Sequence, residues 1–349
     1  MNLCIARFTK FKYVFLTGHH SLFMACLMSA VLGTAGLSGI ELILVGGFLM
    51  GAWSAISPAI GQSYTSKVTD GDEIALGHFG SLGYYLSAWV AKYVGKAEES
   101  TEDIEIPEKW GFLRDSTLST ALTMIVFYLI AAIAAGSEFV ATLSGSMSPY
   151  LFAIMSAMNF AVGVAIVYSG VRMILGDLIP AFQGIATKII PNAIPAVDCA
   201  VFFTYAPTAV VLGFISSFIG GIIGMLILGA VGGVLIIPGL VPHFFCGATA
   251  GIYGNATGGR RGAAVGAFLN GLAITFLPAL ALPVLGQLGF QNTTFGDADF
   301  AVMGLVLGNA FEWIGMAGIY GIVVIAALVL IIPNFIKTKG KVINYVEED

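Results

Sequence analysis

The chain has 349 residues, of which 58% are hydrophobic and only 10% are charged, and its formal net charge is −5. Soluble domains carry about 25% charged residues, so this composition excludes an ordinary soluble protein and indicates a polytopic membrane protein. The negative charge without a long basic block argues against a nucleic-acid partner. Four scattered cysteines without CxxC spacing predict neither a zinc site nor a disulfide framework.

Eight apolar runs are long enough to cross a bilayer, which takes about 20 residues per helix. Three further apolar stretches, near 74–91, 194–211 and 300–310, are short or interrupted by glycine, proline or charge. Irregular backbone at membrane depth is tolerated where it is buried in protein or lines a cavity, so we predict re-entrant segments there. The predicted fold is an all-α membrane protein with about eight transmembrane helices and two or three re-entrant hairpins. The eight runs lie near 13–33, 39–61, 117–136, 149–171, 213–236, 240–257, 262–285 and 312–333.

Lysine and arginine residues mark one side of the predicted membrane. They cluster before the first run, between the second and third runs, and after the fourth, sixth and last runs. Short cytoplasmic loops collect these residues, so both termini are predicted to be cytoplasmic if the broken stretches return to the side they entered from. The polar connection at about 96–115 is then a cytoplasmic loop, either a docking surface for a soluble partner or a plain solvated linker.

Asp198 is the most informative residue of the chain. It lies in an apolar run that is interrupted by Pro191, Pro195 and Pro207. A carboxylate at membrane depth costs at least a few kcal/mol and is a functional residue by default. We therefore interpret this stretch as a discontinuous segment that lines a polar pocket. The alternative is a kinked helix in which Asp198 pairs with a neighbour for structural reasons.

Histidines in two glycine-containing motifs are the next candidates. His19 lies in LTGHH and His78 in ALGHFGS, each directly after a glycine. A neutral imidazole donates one hydrogen bond and accepts another, which suits a polyol or a sugar acid. For His19 and the adjacent His20, the alternative is a packing residue that hydrogen-bonds between helices. His243, which follows Pro242, either flanks the same cavity or stabilises a kink.

Asp297 and Asp299 lie in the polar segment GFQNTTFGDADF. We interpret this segment as a solvated outer loop, with an entry or gating element as the alternative. The sequence contains no P-loop, HExxH or GxSxG motif, so no catalytic residue is predicted. The sequence spacing of His19, His78 and Asp198 does not match that of a metal-binding motif, and neither a metal nor a cofactor is expected.

Together, these segments resemble the ascorbate-type IIC component of the bacterial phosphoenolpyruvate-dependent sugar phosphotransferase system. The motifs are LTGHHSLF, KVTDGDEIALGHFG, PNAIPAVDCAVFFTYAP and VLIIPGLVPHFFCGATAGIYGN. The resemblance implies a homodimeric inner-membrane carrier of L-ascorbate, which a soluble IIB subunit, supplied with phosphate through IIA, phosphorylates. It also implies that His19, His78 and Asp198 contact the substrate, and that the chain is a transport component rather than an enzyme.

Two departures from that family pattern affect the expected specificity. Phe23 and Phe79 occupy positions where the ascorbate carriers have glutamine, and we expect both to contact the substrate. Fewer amide partners leave fewer hydrogen bonds for hydroxyl groups, so a related sugar acid or another polyol is an alternative substrate. The chain also starts just before the TGH motif, and we expect a single membrane-embedded permease domain over residues 1–349 that lacks the family's N-terminal segment.

These observations predict transport of L-ascorbate or a related sugar acid, coupled to phosphorylation by IIB. The alternative is an ion-coupled secondary transporter that uses Asp198 as its coupling site, because broken helices near the midplane are typical of such carriers as well.

Overall fold

The computed structural model describes residues 1–71, 73–105, 109, 116–286, 289 and 294–335. For Ser116 and for positions 172, 174, 175, 178, 179, 183, 186 and 187, it describes the backbone alone. The helices are α1 (Asn2–Phe8), α2 (Gly18–Thr34), α3 (Gly39–Thr69), α4 (Ser81–Val94), α5 (Ser116–Ala135), α6 (Ser137–Ser144), α7 (Pro149–Lys188), α8 (Cys199–Phe202), α9 (Pro207–Ala230), α10 (Leu240–Gly286), α11 (Ala298–Ile314) and α12 (Met316–Ile331).

The predicted helical membrane architecture is confirmed, although the number of spans is not. Within the described residues, six helices are long and apolar enough to cross a membrane. The count of eight stays a prediction. The predicted runs at 240–257 and 262–285 both fall within α10, which is broken by the non-helical residues Gly258 and Gly259, and the run near 13–33 forms a three-residue strand followed by the 17-residue helix α2. The six segments are Gly39–Thr69, Thr117–Ala135, Pro149–Val171, Pro207–Ala230, Leu240–Leu285 and Met316–Phe335.

Two of the three stretches that were predicted to be broken are broken in the structure. The stretch near 74–91 forms a short strand, a turn and then α4, which at 14 residues is only about 21 Å long. The stretch near 194–211 forms a strand, the single turn of α8 and then α9. The third stretch differs, because residues 300–310 lie inside α11, which is continuous over 17 residues.

A small parallel sheet is the feature that the sequence analysis did not anticipate. Its strands are β1 (Tyr13–Phe15), β2 (Ala75–Leu76) and β3 (Ile194–Val197), in the order β1-β3-β2. Strands of two to four residues are too short for a period-two pattern to appear in the sequence. Pro195 has no amide donor and is unusual in a central strand, but cross-strand hydrogen bonds here use the amide of Ile194 and the carbonyl oxygens of Ala196 and Val197.

The core of the molecule consists of helices packed tightly through small residues. Gly213 of α9 and Gly251 of α10 are in such close contact that a Cβ on either would overlap the backbone of the other helix. Close approach through glycine is the usual way in which helices associate in lipid. This contact buries an aromatic cluster that includes Phe214, Phe244 and Tyr253. Large apolar side chains on the outer faces of α5, α7 and α12 stay exposed, as expected for surfaces that face lipid.

Candidate functional site

The sheet brings together three segments that are far apart in the sequence. His78 follows β2 by two residues, Asp198 directly follows β3, and His19 lies in the first turn of the helix after β1. The strands are parallel, so their carboxyl ends lie at one edge of the sheet, where each strand is followed by a helix. Ligands bind at this edge in open parallel sheets, because helix N-termini and loop side chains converge there.

A cavity of about 440 Å³ opens at this edge of the sheet. Pockets for small ligands usually measure about 300–1,000 Å³, so the volume suits a small sugar or sugar acid. Histidine and aspartate side chains form part of the wall, and aromatic and aliphatic side chains form the rest. The lining residues are His19, His20, Phe23, His78, Val167, Val171, Asp198, Ala200, Val241, Pro242, Phe245, Gly296 and Asp297.

Asp198 faces this cavity. One carboxylate oxygen accepts a hydrogen bond from the backbone N–H of Ala200 at 3.2 Å and thereby caps α8. The other oxygen lies 3.5 Å from Nε2 of His19, and the two side chains are 27% and 59% exposed. Among the described residues, no lysine or arginine forms an ion pair with Asp198. The carboxylate therefore stays available to a ligand in the cavity.

His78 is buried and held in one orientation by the first turn of α4. Its Nδ1 accepts a hydrogen bond from the backbone N–H of Gly80 at 3.1 Å and lies 2.9 Å from the hydroxyl of Tyr84. Burial lowers the pKa of His78 below the ordinary range of an imidazole. His78 is therefore neutral near pH 7, with its proton on Nε2.

His20 contributes to the wall more directly than the sequence analysis anticipated. It is buried, it lines the cavity, and its ring centroid lies 3.9 Å from that of His78. Its Nδ1 accepts a hydrogen bond from the backbone N–H of Phe79 at 3.3 Å. The tandem His19–His20 was the available signal, but only the fold decides which of two consecutive helical residues points inward.

The two phenylalanines at the expected glutamine positions have different environments. Phe23 lines the cavity and is 49% exposed. Phe79 is fully buried below the wall, stacked on Phe15 at 4.6 Å between ring centroids and packed against Phe300. Phe79 is not among the residues that line the cavity, and contact of its side chain with the substrate stays a prediction. Phe79 supports the site through its backbone N–H, which orients His20.

The interpretation of Asp297 and Asp299 as residues of a solvated loop is also corrected. Asp299 is fully buried and accepts hydrogen bonds from Ser81 Oγ at 2.7 Å, from the backbone N–H of Leu82 at 3.0 Å and from Trp53 Nε1 at 3.0 Å. Asp297 lines the cavity and accepts a hydrogen bond from the thiol of Cys246. Burial raises the pKa of Asp297 above the ordinary range of a carboxyl group. A polar sequence context predicted exposure, but the start of α11 places Asp299 in the core and leaves Asp297, the residue before the helix, partly buried at the cavity wall.

His243 is the remaining histidine, and it is not among the residues that line the cavity. It is buried between α9 and α10, where its Nδ1 lies 2.9 Å from the hydroxyl of Ser217. Its ring also occupies the space that a side chain at Gly221 would need. This environment favours the structural interpretation of His243 over the functional one.

Two sets of side chains around Asp198 are close enough to share a metal ion. In the first set, the potential ligand atoms of His19, His20 and Asp198 all lie within 4.8 Å of one another, and the same holds for His78, Asp198 and Cys199. A metal-bound imidazole needs a free lone pair on the ligating nitrogen and usually donates from the other nitrogen. In His20 and His78, the Nδ1 accepts a main-chain hydrogen bond instead, so Nε2 is a donor. The arrangement suits hydrogen bonding to a ligand better than metal coordination.

Comparisons with known proteins show which family this chain is similar to. A family model described as "PTS system sugar-specific permease component" (EIIC-GAT) matches residues 1–299. Among curated proteins, the chain is 25% identical to the "Ascorbate-specific PTS system EIIC component" of Mycoplasma pneumoniae, with 72% of this chain and 44% of that protein covered. The chain thus spans less than half the length of the curated relative that it matches.

Proposed function

We propose that this chain, which belongs to the EIIC-GAT family of PTS sugar-specific permease components, binds a hydroxylated sugar acid and carries it across the membrane. Members of this family are transport components rather than catalytic enzymes. In the proposed mechanism, a soluble IIB partner, which receives its phosphate through IIA, phosphorylates the sugar as it reaches the cytoplasm. The described residues provide the binding site, and phosphoryl transfer belongs to the partner.

The observation that carries this proposal is the mixed lining of the cavity. Asp198 and the histidines supply polar groups, whereas Phe23, Phe245 and the aliphatic residues supply apolar surface. A sugar-derived ring has hydroxyl groups along its edge and C–H groups on its face, so a lining of this kind complements it. A few placed polar groups in a mostly apolar pocket are typical of specific small-molecule sites.

L-Ascorbate or a closely related sugar acid is the substrate class that we infer. The relative from M. pneumoniae is named as ascorbate-specific, which supports this class. Within the site, we assign substrate contact to His19, His78, Asp198 and Phe23. Phe23 supplies an apolar surface, and we expect it to reduce the number of hydroxyl groups that the site pairs.

The membrane arrangement belongs to the same proposal. We infer a single membrane-embedded domain with both termini and the 96–115 loop on the cytoplasmic side, and a homodimeric assembly. Residues 106–108 and 110–115 of that loop lie outside the described residues. The described part is not a loose linker, because Thr101 is buried and the carboxylate of Glu102 accepts hydrogen bonds from the first backbone amides of α9.

Ion-coupled transport is the second candidate function, and the pairing of Asp198 with His19 favours it. An acid and an imidazole 3.5 Å apart beside discontinuous helices can take up and release a proton. On this alternative, the ion gradient rather than phosphoryl transfer would drive uptake of the same substrate.

Uptake into proteoliposomes separates the two functions. The purified chain is reconstituted and supplied with labelled ascorbate, with or without phosphorylated IIB on the cytoplasmic side. We expect accumulation of phosphorylated product that depends on IIB and that Asp198→Asn abolishes. Uptake of unmodified ascorbate that needs no IIB and is abolished by an uncoupler would support the alternative. Binding without any uptake would contradict both transport mechanisms for this chain.

A further inference from the structure

The pair His20 and His78 is the part of the site that the proposed function leaves unexplained. Both rings line the cavity, both are buried, and their centroids are only 3.9 Å apart. Two imidazoles at this distance would repel each other if both were protonated, so burial and proximity together favour the neutral form. The question is then which nitrogen of each ring carries the proton.

Main-chain N–H groups decide the tautomer of both rings. The N–H of Phe79 donates to Nδ1 of His20, and the N–H of Gly80 donates to Nδ1 of His78. A backbone amide can only donate, so each Nδ1 must present its lone pair, and the ring proton is on Nε2. Within the described part of the chain, no protein group accepts a hydrogen bond from Nε2 of either ring. Each ring can therefore offer one N–H donor to a molecule in the cavity.

Asp299 fixes the turn that orients these two rings. Its carboxylate accepts hydrogen bonds from Ser81 and Leu82 at the start of α4, directly after the two donating amides. Its own backbone N–H donates to the carbonyl oxygen of Phe79 at 2.9 Å. Because Asp299 is fully buried, this anchor is shielded from water. The two N–H donors are thus positioned before any ligand arrives, which lowers the entropy cost of binding.

We propose that His20 and His78 form a two-donor subsite for two neighbouring ligand oxygens, at least one of which carries negative charge. The O2–O3 edge of an ascorbate monoanion, with its charge on O3, and the carboxylate of an open-chain sugar acid both offer such a pair. The inference rests on the proposed function and deepens it, because it orients the substrate. Asp198 lines the same cavity, with a carboxylate oxygen within 4.8 Å of a ring nitrogen of each histidine, so a ligand hydroxyl next to the bound oxygens can donate to it.

Binding calorimetry on the full chain tests this subsite with three probes. Ascorbate carries its negative charge on O3 next to the O2 hydroxyl, gluconate carries a carboxylate, and gulono-1,4-lactone has the hydroxyl groups without the negative charge. His20→Phe keeps a ring that packs on Phe300 but removes the donor. We expect His20→Phe to weaken binding of the anionic probe by about 10-fold to 100-fold, since a hydrogen bond to a charged group is strong. The lactone should change by less than about 3-fold.

His20→Gln is the matched variant, because its side-chain amide places an N–H donor near the position of Nε2. We expect it to recover at least part of the lost affinity for the anion. Equal weakening of the anionic and the neutral probes by His20→Phe, or no recovery with His20→Gln, would overturn the subsite. Comparing ascorbate with gluconate then identifies which of the two anions the subsite prefers.

A spectroscopic measurement tests the tautomers independently of any substrate. The chain has four histidines, so ¹⁵N labelling of histidine gives four pairs of ring signals that single variants assign. We expect His20 and His78 to be neutral with the proton on Nε2. A proton on Nδ1 of either ring overturns the inference. If the parent protein binds none of the three probes, the proposed function fails, whereas the tautomers still report on the donor pair.

Discussion

Gly77 donates a main-chain hydrogen bond of 2.7 Å to the carbonyl oxygen of Val197, which directly precedes Asp198. This bond joins the end of β2 to the end of β3, so it sets the distance between the His78 segment and the Asp198 segment. The side chain of Thr17, which precedes the helix that carries His19, hydrogen-bonds to the carbonyl oxygen of Gly77. Gly77 thus links all three polar segments of the candidate site.

Alanine substitution should be harmful at Gly77 and harmless at Gly18, although each of these glycines precedes a histidine. A Cβ at Gly77 would overlap the backbone carbonyl of Ala196, whereas a Cβ at Gly18 would meet no atom within 4 Å. We expect Gly77→Ala to separate the strands, to destabilise the protein by about 1–3 kcal/mol and to weaken ligand binding at least 10-fold. Gly18→Ala should leave both properties unchanged. Thermal unfolding and calorimetry on both variants provide the comparison, and similar results for the two glycines would contradict it.

Glutamine substitution should change ligand affinity at Phe23 and protein stability at Phe79. Phe23→Gln changes a half-exposed residue of the cavity wall, and we expect it to raise ascorbate affinity by up to about 10-fold at nearly constant stability. Phe79→Gln places an amide between Phe15 and Phe300, and should destabilise the protein by about 3–5 kcal/mol. Melting temperatures and binding constants of both variants test this. A stable Phe79→Gln protein with increased affinity would restore Phe79 as a contact residue.

Asp198→Asn should affect binding much more than folding. Asparagine keeps the oxygen that caps α8, so we expect a stability change below about 1 kcal/mol. Loss of the charge should weaken binding of a hydroxylated ligand by about 10-fold to 100-fold, since hydrogen bonds to a carboxylate are worth more than those to an amide. Calorimetry measures the binding affinity, and thermal unfolding of the same preparation measures the stability. Equal affinity in mutant and parent would argue against Asp198 as a binding residue.

Glu102→Ala should loosen the start of α9. The carboxylate of Glu102 accepts hydrogen bonds from the backbone N–H groups of Thr208 and Ala209 at 3.1 Å each. Removing this cap should lower the free energy of unfolding by about 1 kcal/mol. Glu98 is exposed in the same loop, so Glu98→Ala is the control and should have no measurable effect. The difference in melting temperature between the two variants is the readout, and equal melting temperatures would contradict the capping role.

The amino-acid sequence by itself determined the class of protein and the most polar point within it. The chain is 58% hydrophobic and 10% charged, and its apolar residues form runs of membrane length. Because charged residues are costly to bury in lipid, such runs are typical of membrane-spanning helices. The breaks near residues 77 and 198 were also predicted correctly from the sequence, because glycine and proline interrupt regular helices. Asp198 was identifiable because a carboxylate in an apolar run is costly wherever the chain places it.

Only the tertiary structure decided which side chains share the cavity. His20 rather than His19 packs against His78, Phe79 lies beneath the wall, and Asp297 and Asp299 point inward from a polar segment. Each of these outcomes depends on a contact between segments that are at least 51 residues apart, such as the hydrogen bond from Phe79 to His20 or the one from Cys246 to Asp297. The local sequence does not determine whether one of these side chains points into the cavity or away from it. That direction depends on the short parallel sheet, which pairs distant parts of the chain.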